Sequence, residues 1–131
     1  FLVRIYGFKA PKGVLRVQLY GDNPDDFLAK GKKLKRIELP VSASGQDMNV
    51  CIALPHYGDF AIAVRHDLDG NGKSGWNDGG GFSRNPDISL THMKPHHGDV
   101  AISARPGVAL VDVVLNYRKG FTIKPLVQVR Q

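Results

Sequence analysis

Apolar residues recur at every second position over most of the chain, the period of a half-buried strand rather than of a helix. Phe1, Val3 and Ile5 alternate with Leu2, Arg4 and Tyr6. A turn follows at Ala10-Pro11-Lys12-Gly13, after which Leu15, Val17 and Leu19 alternate with Arg16, Gln18 and Tyr20. These two runs read as a first hairpin. Residues 21–31 carry turn signals and one short helical turn around Asp25 to Ala29. Strands are expected over Leu34–Val41, Asp47–Leu54 and Phe60–Val64, the last with Ala61 and Ala63 on its opposite face. Residues 66–86 read as a long Gly/Asn/Asp loop. Short strands near Ile88–Leu90 and Val100–Ala104, a long apolar strand over Val108–Tyr117 and a last strand over Phe121–Val129 complete the pattern. Strands spaced about 8–12 residues apart with Gly/Pro turns predict an all-β fold, an antiparallel β-sandwich of about seven to nine strands.

Composition narrows this further. A chain of 131 residues suits one domain and is long enough to bury a real core. Eleven Asp stand against a single Glu, Glu38, and 15 Gly and 8 Pro favour turns over helix surfaces. There is no apolar run long enough for a membrane span. The net charge is +6. The run Lys30-Gly31-Lys32-Lys33-Leu34-Lys35-Arg36 contributes most densely. It lacks interleaved aromatics for base stacking, so nucleic acid is not expected as a partner. Lysines that protect a sheet edge explain it best, with an acidic partner or an anionic polysaccharide as the alternative. Cys51 is the only cysteine, so no internal disulfide forms. The chain opens at Phe1 inside an apolar run. That start fits an exported protein whose leader has been removed, with a trimmed sequence as the alternative.

The sharpest motif is His66-Asp67-Leu68-Asp69-Gly70-Asn71-Gly72-Lys73-Ser74-Gly75-Trp76-Asn77-Asp78. Counted from Asp67, it places Asp at position 1, Asp at 3, Asn at 5, Gly at 6 and Asp at 12. That is the ligand spacing of an EF-hand-type calcium loop, in which alternate side chains of a tight turn converge on one ion. Asp67, Asp69, Asn71 and Asp78 would offer side-chain oxygens, and Lys73 its backbone carbonyl. Gly75 at position 9 leaves that ligand to water, and Asp78 is a shorter arm than the usual Glu. Both predict weaker binding of Ca2+ than in a signalling sensor, and the flanks read as a strand and a Gly-rich loop rather than as EF-hand helices. The alternative is a metal-free loop whose Asp and Asn serve its turns.

The stretch Leu54-Pro55-His56-Tyr57-Gly58-Asp59-Phe60-Ala61-Ile62-Ala63-Val64-Arg65-His66-Asp67, then Gly70-Asn71-Gly72-Lys73 and Gly81-Phe82-Ser83, resembles the bacterial family DUF2141, a domain of unknown function. The early Gly13, Leu15, Val17, Leu19, Tyr20 and Phe27 fit the same pattern, and the similarity spans roughly residues 1–118. The resemblance implies export and a transthyretin-like or immunoglobulin-like β-sandwich; it implies no activity. Asp69 stands where the family pattern has Asn, a G-x-P-x-E segment before Gly81 is missing, and Arg84 interrupts the pattern's S-N. Residues 119–131 then form a strand-like extension beyond the domain.

No catalytic constellation emerges. Glu38 is alone, Ser83 lies outside a G-x-S-x-G elbow, and Pro95 keeps His92 and His96 from sharing a helix face. His92, His96, His97 and Asp99 read as exposed loop residues rather than a zinc site. The chain therefore reads as a non-enzyme. Trp76 and Phe82 could form a stacking platform for glycans beside the loop, or Trp76 could cap the core. The apolar tail, with Phe121, Ile123, Leu126, Val127 and Val129, suits donation to a neighbour's sheet. Repeated head to tail, that contact gives a homo-oligomer or filament. The alternative is a last strand that folds back within its own domain. The reading that results is an exported structural module, pinned by calcium and assembled by strand exchange, with a glycan- or small-ligand-binding module as its alternative.

Overall fold

A computed structural model of the chain describes residues 1–41, 47–70, 78–88, 94–107, 109–119 and 122–125. Its elements are β1 (Leu2–Tyr6), β2 (Val14–Tyr20), a single 3-10 turn (Pro24–Asp26), β3 (Lys35–Pro40), β4 (Met48–Cys51), β5 (Gly58–Asp67), β6 (Gly79–Phe82), α1 (His97–Val100), β7 (Ile102–Ala104), β8 (Leu110–Val114), β9 (Asn116–Lys119) and β10 (Thr122–Pro125). A small sheet runs β4-β1-β8 and a large one β10-β9-β6-β5-β2-β3, with β7 alongside the start of β5. The two make a β-sandwich. Pairing among the described residues is antiparallel except for β1 with β8, which run parallel. The strand count among the described residues exceeds the expectation because the expected Val108–Tyr117 strand is divided into β8 and β9 and β6 is added.

The alternation places the core as expected. Val3 and Ile5 of β1, Leu15, Val17 and Leu19 of β2, and Phe60, Ile62 and Val64 of β5 are buried in one cluster with Val113 of β8. Removing this much apolar surface from water is the main stabilising term of the fold. On the outer face of the large sheet, Ala61 and Ala63 join Tyr20 and Val100 in a second, smaller cluster roofed by Phe27, Leu28 and Phe82. Ser83 ties this roof down: its buried hydroxyl accepts from the Ile62 amide and donates to the Val100 carbonyl.

Three expectations need correction. The first two strands do not form a hairpin: β1 pairs with β4 and β8, and β2 with β3 and β5. Their apolar faces meet across the core, and residues 7–13 carry the chain from one sheet to the other. Gly7 (φ 84°) and Gly13 (φ 86°) make the corners, and a Cβ on Gly13 would strike the Asp67 carbonyl oxygen. The run over Val108–Tyr117 is also not one strand. It changes sheets at Leu115, whose amide donates to the Tyr6 carbonyl at 3.0 Å. Finally, the 66–86 loop contains β6, a strand of three glycines and a phenylalanine. A Cβ on Gly79 would lie 2.6 Å from Tyr117 Cζ, and one on Gly81 would lie 2.7 Å from Val113 Cγ1. The missing side chains let Tyr117 and Val113 close over the strand.

Candidate functional site

β5 and β6 pair antiparallel with His66 opposite Gly79, so the stretch from Asp67 to Asp78 is the connection of a β-hairpin. The strand on the Asp67 side is the one the sequence predicts; on the Asp78 side β6 stands where a Gly-rich loop is expected. The register sets Asp67 and Asp78 across from each other at the loop's mouth. Asp67 is buried, and its Oδ1 accepts from the Gly70 amide at 3.1 Å, closing a tight turn. Asp78 Oδ1 accepts from the Leu68 amide at 3.0 Å. Its Oδ2 accepts from Arg65 Nη2, also at 3.0 Å. Asp69 is exposed on the turn itself. Asn71, Lys73 and Trp76 lie outside the described residues. Among the described residues, no three His, Cys, Asp or Glu side chains converge as a metal cage.

Arg65 is the participant the motif did not reveal. It stands two residues before Asp67, so the two-residue period puts it on the same sheet face as Asp67 and Asp78. The following residue, His66, points the other way, into the interior, and is completely buried. Its Nε2 lies 2.7 Å from the Lys12 carbonyl oxygen, which can only accept, so Nε2 carries the proton. Nδ1 is then an acceptor, and the Tyr117 hydroxyl donates to it at 2.6 Å. The same hydroxyl accepts from the Lys9 amide at 3.0 Å. One proton arrangement therefore runs from Lys9 through Tyr117 and His66 to Lys12, joining the crossover 7–13 to β5 and β9. Burial pushes the Tyr117 phenol up to about 12; Asp78 nearby adds to the rise, and the Lys9 amide works against it.

The remaining candidates divide. Phe82, expected beside Trp76 on a glycan platform, packs instead into the second cluster with its ring 6.0 Å from Phe27. Of the tail residues, Ile123 is described. It lies on β10 opposite Arg118 of β9, so residues 122–125 pair within their own chain. The fold-back alternative accounts for this segment. Phe121, Leu126, Val127 and Val129 lie outside the described residues. His97 Nε2 is 2.9 Å from the Gly21 carbonyl, its ring is edge-on to Phe27, and His92 lies outside the described residues. Glu38 is exposed between Arg16 and Arg36, at 3.6 and 3.7 Å. Cys51 is exposed on β4, an edge strand of the small sheet. No helix among the described residues is long and apolar enough to cross a membrane.

A family model described as an uncharacterized protein conserved in bacteria matches residues 3–110. No curated protein and no solved structure matches the chain. The matched span runs from β1 into β8 and includes the Asp67–Asp78 hairpin with its Arg65 partner, while Tyr117 and the β9–β10 hairpin follow it. With most of its length matched, this chain belongs to the DUF2141 family of bacterial proteins.

Proposed function

We propose that this chain is a non-catalytic, exported structural module whose β5–β6 loop holds a calcium ion as a pin. The observation that carries the reading is the register that brings Asp67 and Asp78, the first and last acids of the motif, face to face at the loop's mouth. A carboxylate offers about four lone-pair directions. Asp78 can therefore keep Arg65 and the Leu68 amide and still present oxygen to an ion. Asp69 and Asn71 would add hard oxygen ligands, and Lys73 a carbonyl, which is the donor chemistry Ca2+ prefers. Bound calcium would tie the first and last acids of the glycine-rich motif to one ion, and would stabilise the fold by mass action. Self-association belongs to the same reading: β10 is an edge strand, and a second copy would add there rather than replace it.

The test is a calcium titration of the full chain followed by Trp76 fluorescence and melting temperature, with light scattering run in calcium and in chelator. An apparent affinity near 10⁻⁴–10⁻³ M is expected, the range of extracellular calcium modules. Calcium should raise the melting temperature, and Asp67→Asn with Asp69→Asn should abolish the rise. Identical melting and fluorescence with and without about 10 mM calcium would sink the calcium reading. A monomer under all conditions would remove the assembly part alone.

A further inference from the structure

The basic run behaves as two different things. On β3, Lys35 donates to the Ala53 carbonyl, while Arg36 Nε donates to Gln18 Oε1 at 2.9 Å and the guanidinium approaches Glu38. These two residues lie on an edge strand of the large sheet, and charge there suits edge protection. Lys30, Lys32 and Lys33 do not lie on that strand. Pairing with β2 begins at Lys35, opposite Leu19, so the three lysines precede the ladder. They occupy an ordered turn: the Ala29 amide donates to the Asp26 carbonyl, the Lys32 amide to Ala29, and the Leu34 amide to Leu19 at 2.7 Å. Gly31 supplies a left-handed φ of 77° at its tip. Lys30 and Lys32 are exposed and Lys33 half-buried. None of the three makes a side-chain hydrogen bond or ion pair among the described residues. Edge protection explains Lys35 and Arg36; it leaves the turn's three ammonium groups unaccounted for.

We infer that this turn, residues 29–34, is a contact surface for an anionic polysaccharide. Ammonium groups on flexible stems act as point charges and need no planar, bidentate partner, which suits sulfate or carboxylate groups repeated along a sugar polymer. Single-stranded nucleic acid is a poorer fit, because bases would find no stacking surface. The aromatics that precede the turn, Tyr20 and Phe27, meet edge to face at 5.4 Å within the second cluster. An acidic lipid surface is also a poorer fit. Leu34, the exposed apolar residue of the turn, lies along Gly21, where a Cβ would meet its Cδ1 at 3.6 Å. Three free lysines also fall short of the roughly four to eight basic residues that mark lipid-binding clusters. This inference is independent of the calcium reading, since the turn and the β5–β6 loop share no residue.

The experiment is salt elution of the full chain from immobilised heparin and polygalacturonate, with neutral dextran as the control matrix. The variant Lys30→Ser/Lys32→Ser/Lys33→Ser is compared with Lys94→Ser/Arg105→Ser/Lys124→Ser, which removes the same charge from other exposed positions. The wild type should be retained on an anionic matrix and not on dextran. Its log-affinity should fall linearly with log salt, and the turn variant should lower that slope by about two, the release expected from three lost contacts. The distant variant should change it little, and both variants should keep the wild-type melting temperature. Equal losses in the two variants would overturn the inference in favour of net charge alone. Failure of the wild type to outlast dextran would also overturn it. So would turn-dependent binding to acidic phospholipid vesicles with no retention on either polysaccharide.

Discussion

Tyr117→Phe tests whether the buried proton arrangement holds the fold together. The variant keeps the ring that lies on Gly79 and removes only the hydroxyl. Two partners lose it: the Lys9 amide at 3.0 Å and His66 Nδ1 at 2.6 Å. Lys9 is an exposed residue, so its amide can find water. His66 is completely buried and cannot. A buried polar atom left without a partner costs about 1–3 kcal/mol. The expected loss is therefore about 2 kcal/mol, or about 6–10 °C in melting temperature for a domain of this size. The pH dependence gives a sharper signature. The folded phenol titrates at about 12, against the ordinary value of 10.0. A raised value means that the folded state favours the neutral form. The stability this supplies is complete below pH 10 and is lost as pH climbs from 10 to about 12. Urea unfolding of wild type and variant at pH 8, 10 and 11.5 should therefore show a stability gap that narrows with pH. Tyr20, whose phenol is also raised by burial, titrates in both proteins and cancels in the difference. No gap at pH 8 would refute the hydrogen-bond chain, and a gap of the same size at all three pH values would refute the raised titration of the buried phenol.

Two further substitutions probe the base of the hairpin. Arg65→Gln removes the charge partner of an Asp78 side chain that is only 8% exposed, while Arg65 itself is 25% exposed. The expected cost without calcium is about 2 kcal/mol, below that of a fully buried pair, and calcium should bind more tightly because the competing cation is gone; thermal unfolding with and without calcium reads both effects. Gly79→Ala forces a methyl group into the Tyr117 ring and should cost about 3 kcal/mol. Chemical denaturation would show it, and Gly80→Ala, whose Cβ meets the Val64 carbonyl oxygen at an ordinary 3.6 Å, should cost far less.

What was legible in the sequence was which face of each strand is buried. Phe1, Val3 and Ile5 and Leu15, Val17 and Leu19 alternate strictly, and all six enter the core. Alternation does not say which strand lies beside which, and two consecutive strands joined by a turn suggest a hairpin that β1 and β2 do not form. The partnership is fixed by the crossover 7–13, whose two left-handed glycines turn the chain between sheets. β6 was hidden for a different reason. Three consecutive glycines have no apolar period, and they become a strand only because Tyr117 and Val113, more than thirty residues away, pack onto them. The motif residues Asp67 and Asp78 were legible from local spacing, since a loop's ligands are close in sequence. Arg65 was visible by parity, but its partner depended on a register set by the whole β5–β6 pair. Tyr117 was out of reach, because its link to His66 spans 51 residues and two sheet connections.

The two clamps at the loop's base bear on how the loop works. Arg65 and His66 are neighbours in sequence and point to opposite faces of β5. On one face Arg65 holds Asp78, the last residue of the loop. On the other His66 holds Tyr117, whose ring covers Gly79, the next residue along. The two ends of the 67–78 connection are thus fixed from both sides, whatever the residues between them do. Fixing the ends in advance removes part of the ordering entropy that a ligand would otherwise have to overcome. On the proposed calcium reading, Arg65 would have two opposed effects on a cation in the loop: it would pre-order the mouth, and its charge would compete for Asp78. In Arg65→Gln the competition ends but the inner clamp remains, so the gain in calcium affinity should exceed the loss from a looser mouth. Cutting the inner clamp with Tyr117→Phe leaves the competing charge in place and loosens the mouth, so calcium should bind that variant more weakly. Opposite signs from two substitutions that both destabilise the metal-free fold would separate a calcium-binding loop from one that is merely sensitive to stability.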